Sequence, residues 1–119
     1  MLHLCDSRRY LLYSGNTDMR KSFHGLVALV KYNMQTSVMS GDVFVFISKR
    51  RNAIKLLRWE GDGFAVYYKR LEKGTYELPA ANGNTYTYTM AIEAQQLQFI
   101  LQGVSLKKIY LRRRLKKIA

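Results

Sequence analysis

Arg50 and Arg51 stand side by side, Lys55 follows four residues later, and Lys69 and Arg70 form a second adjacent pair. A third concentration lies at the end of the chain, where Lys107, Lys108, Arg112, Arg113, Arg114, Lys116 and Lys117 occur without an acid among them. Guanidinium and ammonium groups grouped in this way hold phosphate and carboxylate oxygens. The whole chain shares the bias: 20 Lys and Arg against 8 Asp and Glu give a net charge of +12 over 119 residues. So large a charge costs self-repulsion and fits a polyanionic partner. The partners to weigh are therefore nucleic acid, an anionic membrane surface and an acidic protein.

Other chemistries find little support. His3, Cys5 and His24 are the soft metal ligands, and they form no CxxC or HxxxH pattern, so no metal site and no cofactor is expected. A restriction-type nuclease needs a carboxylate two residues before a lysine, and no lysine here has one. Three carboxylates converging on metal ions would be needed for transposase-type chemistry. Asp18, Asp42, Glu60, Asp62, Glu72, Glu77 and Glu93 read instead as single turn or cap residues. No GxSxG elbow is present, and no catalytic residue is assigned. One cysteine excludes an internal disulfide and fits a reducing cytoplasm. The N-terminal stretch is broken by His3, Asp6, Arg8 and Arg9, and the apolar runs are too short to span a bilayer, so no membrane partner is expected.

The elements that must position the basic groups can be read in order. Tyr10 to Tyr13 reads as a short strand. Phe23, Leu26, Val27, Val30 and Met34 recur at helical spacing, which predicts a helix from about Asp18 to Met34 with Asp18 at its start. Val43 to Ser48 is a near-continuous apolar run, as a central strand requires. A hairpin is expected from Ala53 to Leu71, turning at Gly61-Asp62-Gly63. Short strands are expected over Thr75 to Leu78 and around Tyr86 and Tyr88, and a second helix over Met90 to Leu101 with Gly103 as its cap. The expected fold is a single α+β domain over 1–105, with a mostly antiparallel sheet of five or six strands packed on one main helix. Residues 106–119 form a basic tail whose Leu111, Leu115 and Ile118 fall at helical spacing. Such a segment binds phosphate or an anionic membrane, or frays in solvent.

The ordered motifs resemble a known family. Thr17-Asp18-Met19-Arg20-Lys21-Ser22-Phe23-His24-Gly25-Leu26 is followed by Gly41-Asp42-Val43-Phe44-Val45-Phe46, then Arg50-Arg51 and Ile54-Lys55, then Trp59-Glu60-Gly61-Asp62-Gly63-Phe64, then Lys69-Arg70-Leu71-Glu72-Lys73-Gly74. Over residues 9 to 105 this is similar to the small accessory protein encoded by the second open reading frame of IS-sixty-six-type bacterial insertion sequences. The resemblance implies a role in transposition beside a separate, larger transposase that carries the strand-transfer chemistry. It implies no particular biochemical activity. Leu78-Pro79 departs from the tryptophan-proline of many relatives, and the tail after Lys107 is a variable part of the family.

If Asp62-Gly63 is a two-residue loop, Lys55 faces Arg70 directly across the hairpin. Such a like-charge pair is destabilising unless an anion lies between them. The plainer alternative is that both side chains splay into water while their stems cover the sheet. Trp59 either stacks on a base or packs in the core, and a lone tryptophan on a strand more often packs. The reading that unites these signals is a non-enzymatic accessory factor that binds DNA by its phosphates, largely without sequence preference, through Arg50, Arg51, Lys55, Lys69, Arg70 and the tail. The alternative is a protein-interaction module that recruits or regulates the transposase without binding DNA.

Overall fold

Tyr10–Tyr13 and Val43–Ile47 contain no charged residue, and every residue in both is buried. Strands of this kind need cover on both faces. The computed structural model, which describes residues 7–79 and 87–103, supplies it. The elements run β1 (Tyr10–Tyr13), α1 (Phe23–Ala28) with a π-helical turn (Leu29–Asn33), β2 (Val43–Ile47), β3 (Ala53–Trp59), β4 (Phe64–Arg70), β5 (Thr89–Ile92) and α2 (Ala94–Gln102). The five strands form one sheet in the order β4-β3-β2-β1-β5. β1 and β2 are parallel, joined through α1, and the other pairings are antiparallel. The α+β class and the mostly antiparallel sheet match the sequence.

Alternation along the strands divides the core in two. Leu11, Tyr13, Phe44, Phe46 and Leu57 point to one face, where Leu26, Val30 and Met34 of the first helical segment cover them. Tyr10, Leu12, Val43, Val45, Ile47, Ile54 and Leu56 point to the other, where Leu97 and Ile100 of α2 pack with Tyr76. Burial pushes the Tyr76 phenol up to about 12, with Tyr67 adding to the shift, so Tyr76 stays neutral in the core.

Several boundaries differ from the sequence reading. The first helix begins at Phe23 and not near Asp18, because Asp18 heads a tight turn: its carboxylate accepts the Arg20 backbone N–H at 2.9 Å, and its carbonyl accepts the Lys21 N–H at 3.0 Å. Short polar side chains that bond the backbone two residues on favour such turns over helix. The second helix starts at Ala94. Met90 and Ile92 alternate as β5, and the Glu93 N–H donates to Gln96 Oε1 at 2.8 Å to begin the helix. Gly103 closes it at φ 73°, as the sequence indicates. Residues 75–78 form no strand, although Tyr76 is anchored by its N–H to the Arg51 carbonyl at 2.6 Å. Tyr88 lies in a turn before β5, and Tyr86 falls outside the described residues.

The hairpin register is also two residues away from the two-residue loop. The loop is Glu60 to Gly63, closed by the Glu60 N–H on the Gly63 carbonyl at 2.8 Å, and Gly61 takes the positive φ of 93°. Trp59 therefore faces Phe64, with their rings edge-on at 4.9 Å between centroids. Lys55 faces Tyr68, its Nζ 4.9 Å from the ring centre, while Arg70 faces Ala53. The expected like-charge pair does not form. Cross-strand aromatic and cation–π pairs are each worth roughly 0.2–1 kcal/mol, and this register gains one of each where the other would oppose two cations.

Lys55 shows how the two layers are joined. It is only 9% exposed, and its ammonium donates to the carbonyls of Met19 and Lys21, each at 2.7 Å. The turn before α1 is thereby tied to β3. Lys55→Met keeps the stem and removes both donors, so the expected loss is about 1–3 kcal/mol in urea unfolding. Equal or greater stability in the variant would show that burying the ammonium outweighs its two hydrogen bonds.

Candidate nucleic-acid interface

Two antiparallel connections bring the basic pairs to one end of the sheet. The turn between β2 and β3 carries Arg50 and Arg51, and β4 ends at Lys69 and Arg70. Because β3 pairs with both β2 and β4, the start of β3 lies beside both of these segments. Ala53 pairs with Arg70, and the Leu71 N–H donates to the Asn52 carbonyl at 2.7 Å. Lys69 and Arg70 are successive strand residues, so they project to opposite faces of the sheet edge. Lys69 lies on the α2 side, its Nζ 3.5 Å from the Leu101 carbonyl near the end of that helix. A cation there is favoured by the unpaired carbonyls of the last turn. Arg50, Arg51, Lys69 and Arg70 are all exposed, as are their neighbours Lys49 and Lys73.

Lys55 does not join them. Its ammonium is turned inward onto the Met19 and Lys21 carbonyls, which removes it from the exposed set that the sequence groups together. The tail residues Lys107, Lys108, Arg112, Arg113, Arg114, Lys116 and Lys117 lie outside the described residues. Trp59 is half-buried against Phe64 at the opposite end of the hairpin, away from the basic pairs.

That opposite end holds a second set of arginines, which the sequence does not reveal. Arg8, Arg9 and Arg58 border an open basin of about 580 Å³ with Ser40 and Asp42. Its charge is largely met from within. Arg9 donates to Asp42 Oδ2 from Nε at 3.2 Å and from a terminal nitrogen at 2.6 Å, Arg58 pairs with Glu60, and Arg8 donates to the Gly41 carbonyl at 3.2 Å. Only the parallel register of β1 on β2, with Tyr10 beside Val43, brings Arg9 to Asp42, and no local pattern announces that pairing. Among the described residues the ion pairs are Arg9–Asp42, Arg20–Asp18 and Arg58–Glu60. Arg50, Arg51, Lys69 and Arg70 take part in none of them. The arginine charge is thus paired at one end of the sheet, while at the other no described carboxylate forms an ion pair with Arg50, Arg51, Lys69 or Arg70, although Glu72 and Glu77 follow in the next segment.

Among the described residues no group of three or more His, Cys, Asp or Glu side chains could hold a metal ion, and no helix is long and apolar enough to cross a membrane. Asp42 is placed for structure. Burial alone would raise its carboxyl, but the hydrogen bonds from Arg9 and Ser40 and the Arg9 charge outweigh burial and hold it below the usual value of 3.8. A carboxyl lowered by folding adds stability that is full above its unfolded value and is lost as pH falls through the folded one. Wild type should therefore exceed Asp42→Asn by about 1 kcal/mol at pH 7, a modest figure because the Arg9 side chain is 60% exposed. That margin should shrink below about pH 3.8 in urea unfolding. A margin that stays constant down to acid pH would show that the ionised carboxylate contributes nothing.

Comparison with known proteins places this arrangement in a lineage. Residues 8–110 match the family described as IS66 Orf2 like protein. The chain is 30% identical over 96 residues to the uncharacterized protein y4hO of Sinorhizobium fredii (strain NBRC 101917 / NGR234), covering 81% of this chain and 80% of that one. It is 34% identical over 71 residues to the uncharacterized protein y4jC of the same strain, covering 60% and 61% respectively. No solved structure matches the chain. The matched span takes in every element of the sheet and both helices, and the chain belongs to the IS66 Orf2-like family, which supports an accessory role in transposition.

Proposed function

We propose that this protein is a non-enzymatic DNA-binding accessory factor in transposition, acting in the cytoplasm beside the element's separate transposase. The observation that carries the reading is the unpaired basic end of the sheet. Arg50, Arg51, Lys69 and Arg70 are exposed there, and among the described residues no carboxylate pairs with them. Phosphate oxygens are the partners such groups lack, and a duplex supplies them in rows. The basic tail from Lys107 to Lys117 adds the same chemistry in sequence. Backbone contacts of this kind position a protein on DNA without reading bases, so the factor would grip element ends or any duplex and leave sequence choice to its partner.

A second reading, a module that recruits the transposase without touching DNA, is favoured by Phe23 and Tyr32. These are 45% and 68% exposed on the first helical segment. It expects co-purification with the transposase that survives nuclease treatment and no DNA binding by the isolated chain.

Fluorescence-anisotropy titration against element-end duplex separates the two. Neutralising about six phosphates gives a slope near −5 in log K against log salt concentration. Replacing Lys69 and Arg70 together by Gln should reduce the magnitude of that slope by about 2. Binding that is absent at low salt, or indifferent to salt, would remove the DNA reading.

A further inference from the structure

The unpaired basic end also contains a cavity of about 310 Å³. Its apolar lining includes Leu12, Ile47 and Met90, from the ends of β1 and β2 and from β5. Asn16, Ser48 and Arg51 border it with polar groups. Arg51 is at φ 59°, a left-handed conformation unusual outside glycine. The conformation is fixed on both sides. The Arg51 N–H donates to the Ser48 carbonyl at 2.9 Å, and the Arg51 carbonyl accepts the Tyr76 N–H at 2.6 Å. Strained backbone of this kind persists where the surrounding structure holds it and is concentrated at ligand sites. Asn16 is exposed, and its amide has no hydrogen-bond partner among the described residues. The loop that carries it lies close on the Tyr13 ring at Gly15, where an added Cβ would come within 2.7 Å of that ring.

We propose that this cavity receives one unpaired nucleobase of a DNA strand whose phosphates lie on the adjoining basic end, an inference that rests on the DNA-binding reading above. The lining is mixed, with Leu12, Ile47 and Met90 beneath and Asn16, Ser48 and Arg51 around, which suits a flat heteroaromatic ring with polar edges. The volume is at the low end for a ligand pocket and is sufficient for one such ring system. The Asn16 amide offers a donor and an acceptor to the base edge, and the Arg51 guanidinium can lie over the ring or bond the adjoining phosphate. No carboxylate is among the described lining residues, so the cavity favours a neutral ring on an anionic strand over a cationic ligand. A base inside a duplex must first be unstacked, whereas a base on a single-stranded extension is already available. The substrate class is therefore a duplex with an unpaired end.

The test is anisotropy titration of the full chain at low salt with three probes. These are a blunt duplex, the same duplex with a short single-stranded extension, and that extension built from abasic nucleotides, which keep the phosphates. The expected result is roughly tenfold tighter binding of the base-bearing extension than of the blunt and abasic probes, in line with ordering one base on a protein surface. A 2-aminopurine placed in the extension should change its fluorescence on binding. Asn16→Ala, which removes the amide from the exposed rim without adding a stacking surface, should reduce both the preference and the fluorescence change. Equal affinity for the base-bearing and abasic extensions, with all three probes bound, overturns the cavity assignment and leaves the DNA-binding reading standing. If no probe binds at low salt, both fall.

Discussion

One buried cation holds the two halves of this fold together. Lys55 sits in a central strand where an apolar residue would be the ordinary choice, and its ammonium lies under the layer containing α1. Isolated, it would be costly; the Met19 and Lys21 carbonyls and the Tyr68 ring replace its water. Two features go with that replacement. The turn at Asp18 is held onto β3, and the hairpin register that places Tyr68 opposite Lys55 is favoured over its neighbour. The motif around Thr17 and the motif around Ile54-Lys55 are far apart in sequence, yet each completes the other. Thr17 adds a second tie, its N–H on the Ile47 carbonyl at 3.0 Å.

With helices on both faces, the sheet has little open surface except its ends and edges. Its two ends carry arginine differently. At the Arg9–Asp42 end the cations are satisfied by carboxylates and a carbonyl supplied through the β1–β2 pairing. At the Arg50–Arg70 end the hydrogen bonds among the described residues include Leu71 to Asn52, Tyr76 to Arg51, Ser48 to Asn52 and Lys69 to the Leu101 carbonyl, and none is made by the Arg50, Arg51 or Arg70 guanidinium. The chain thus fixes the positions of these arginines without using their charge. A surface that retains charge after folding has an electrostatic reason to seek an anion that a neutralised surface lacks.

What the sequence made legible follows the range of the physics involved. The fold class, β1, β2, the hairpin and Gly103 were readable because each rests on local patterns of apolar run, periodicity or turn chemistry. The grouping of Arg50 and Arg51 with Lys69 and Arg70 was readable too, because any register of one hairpin brings its open ends together. The role of Lys55 was not. A lysine between Ile54 and Leu56 looks like a surface residue until Met19 and Lys21 are known to lie above it. Asp18 misled for the reason that short polar side chains serve helix caps and turns equally well. Met90 and Ile92 read as the start of the following helix because Ile92 falls at helical spacing with Gln96, Phe99 and Ile100. Arg9 and Asp42 meet only through a parallel pairing across the α1 crossover, which leaves no local trace.

The parallel pair also determines where a pocket can form. β1 and β2 run the same way, so their carboxyl ends, Tyr13 and Ile47, open at the same edge of the sheet. The chain leaves these ends by diverging routes. One passes through Gly15 and Asn16 toward α1, and the other through Ser48 and Arg51 toward β3. Divergence beyond adjacent parallel strands leaves a crevice that neither loop fills, the same geometry that places ligands at the carboxyl edge of open α/β sheets. Here the crevice is floored by the strand ends themselves, and the turn that bounds it carries the unpaired arginines. The cavity and the basic surface are therefore consequences of one topological choice, the β1–β2 crossover, rather than two features that happen to adjoin.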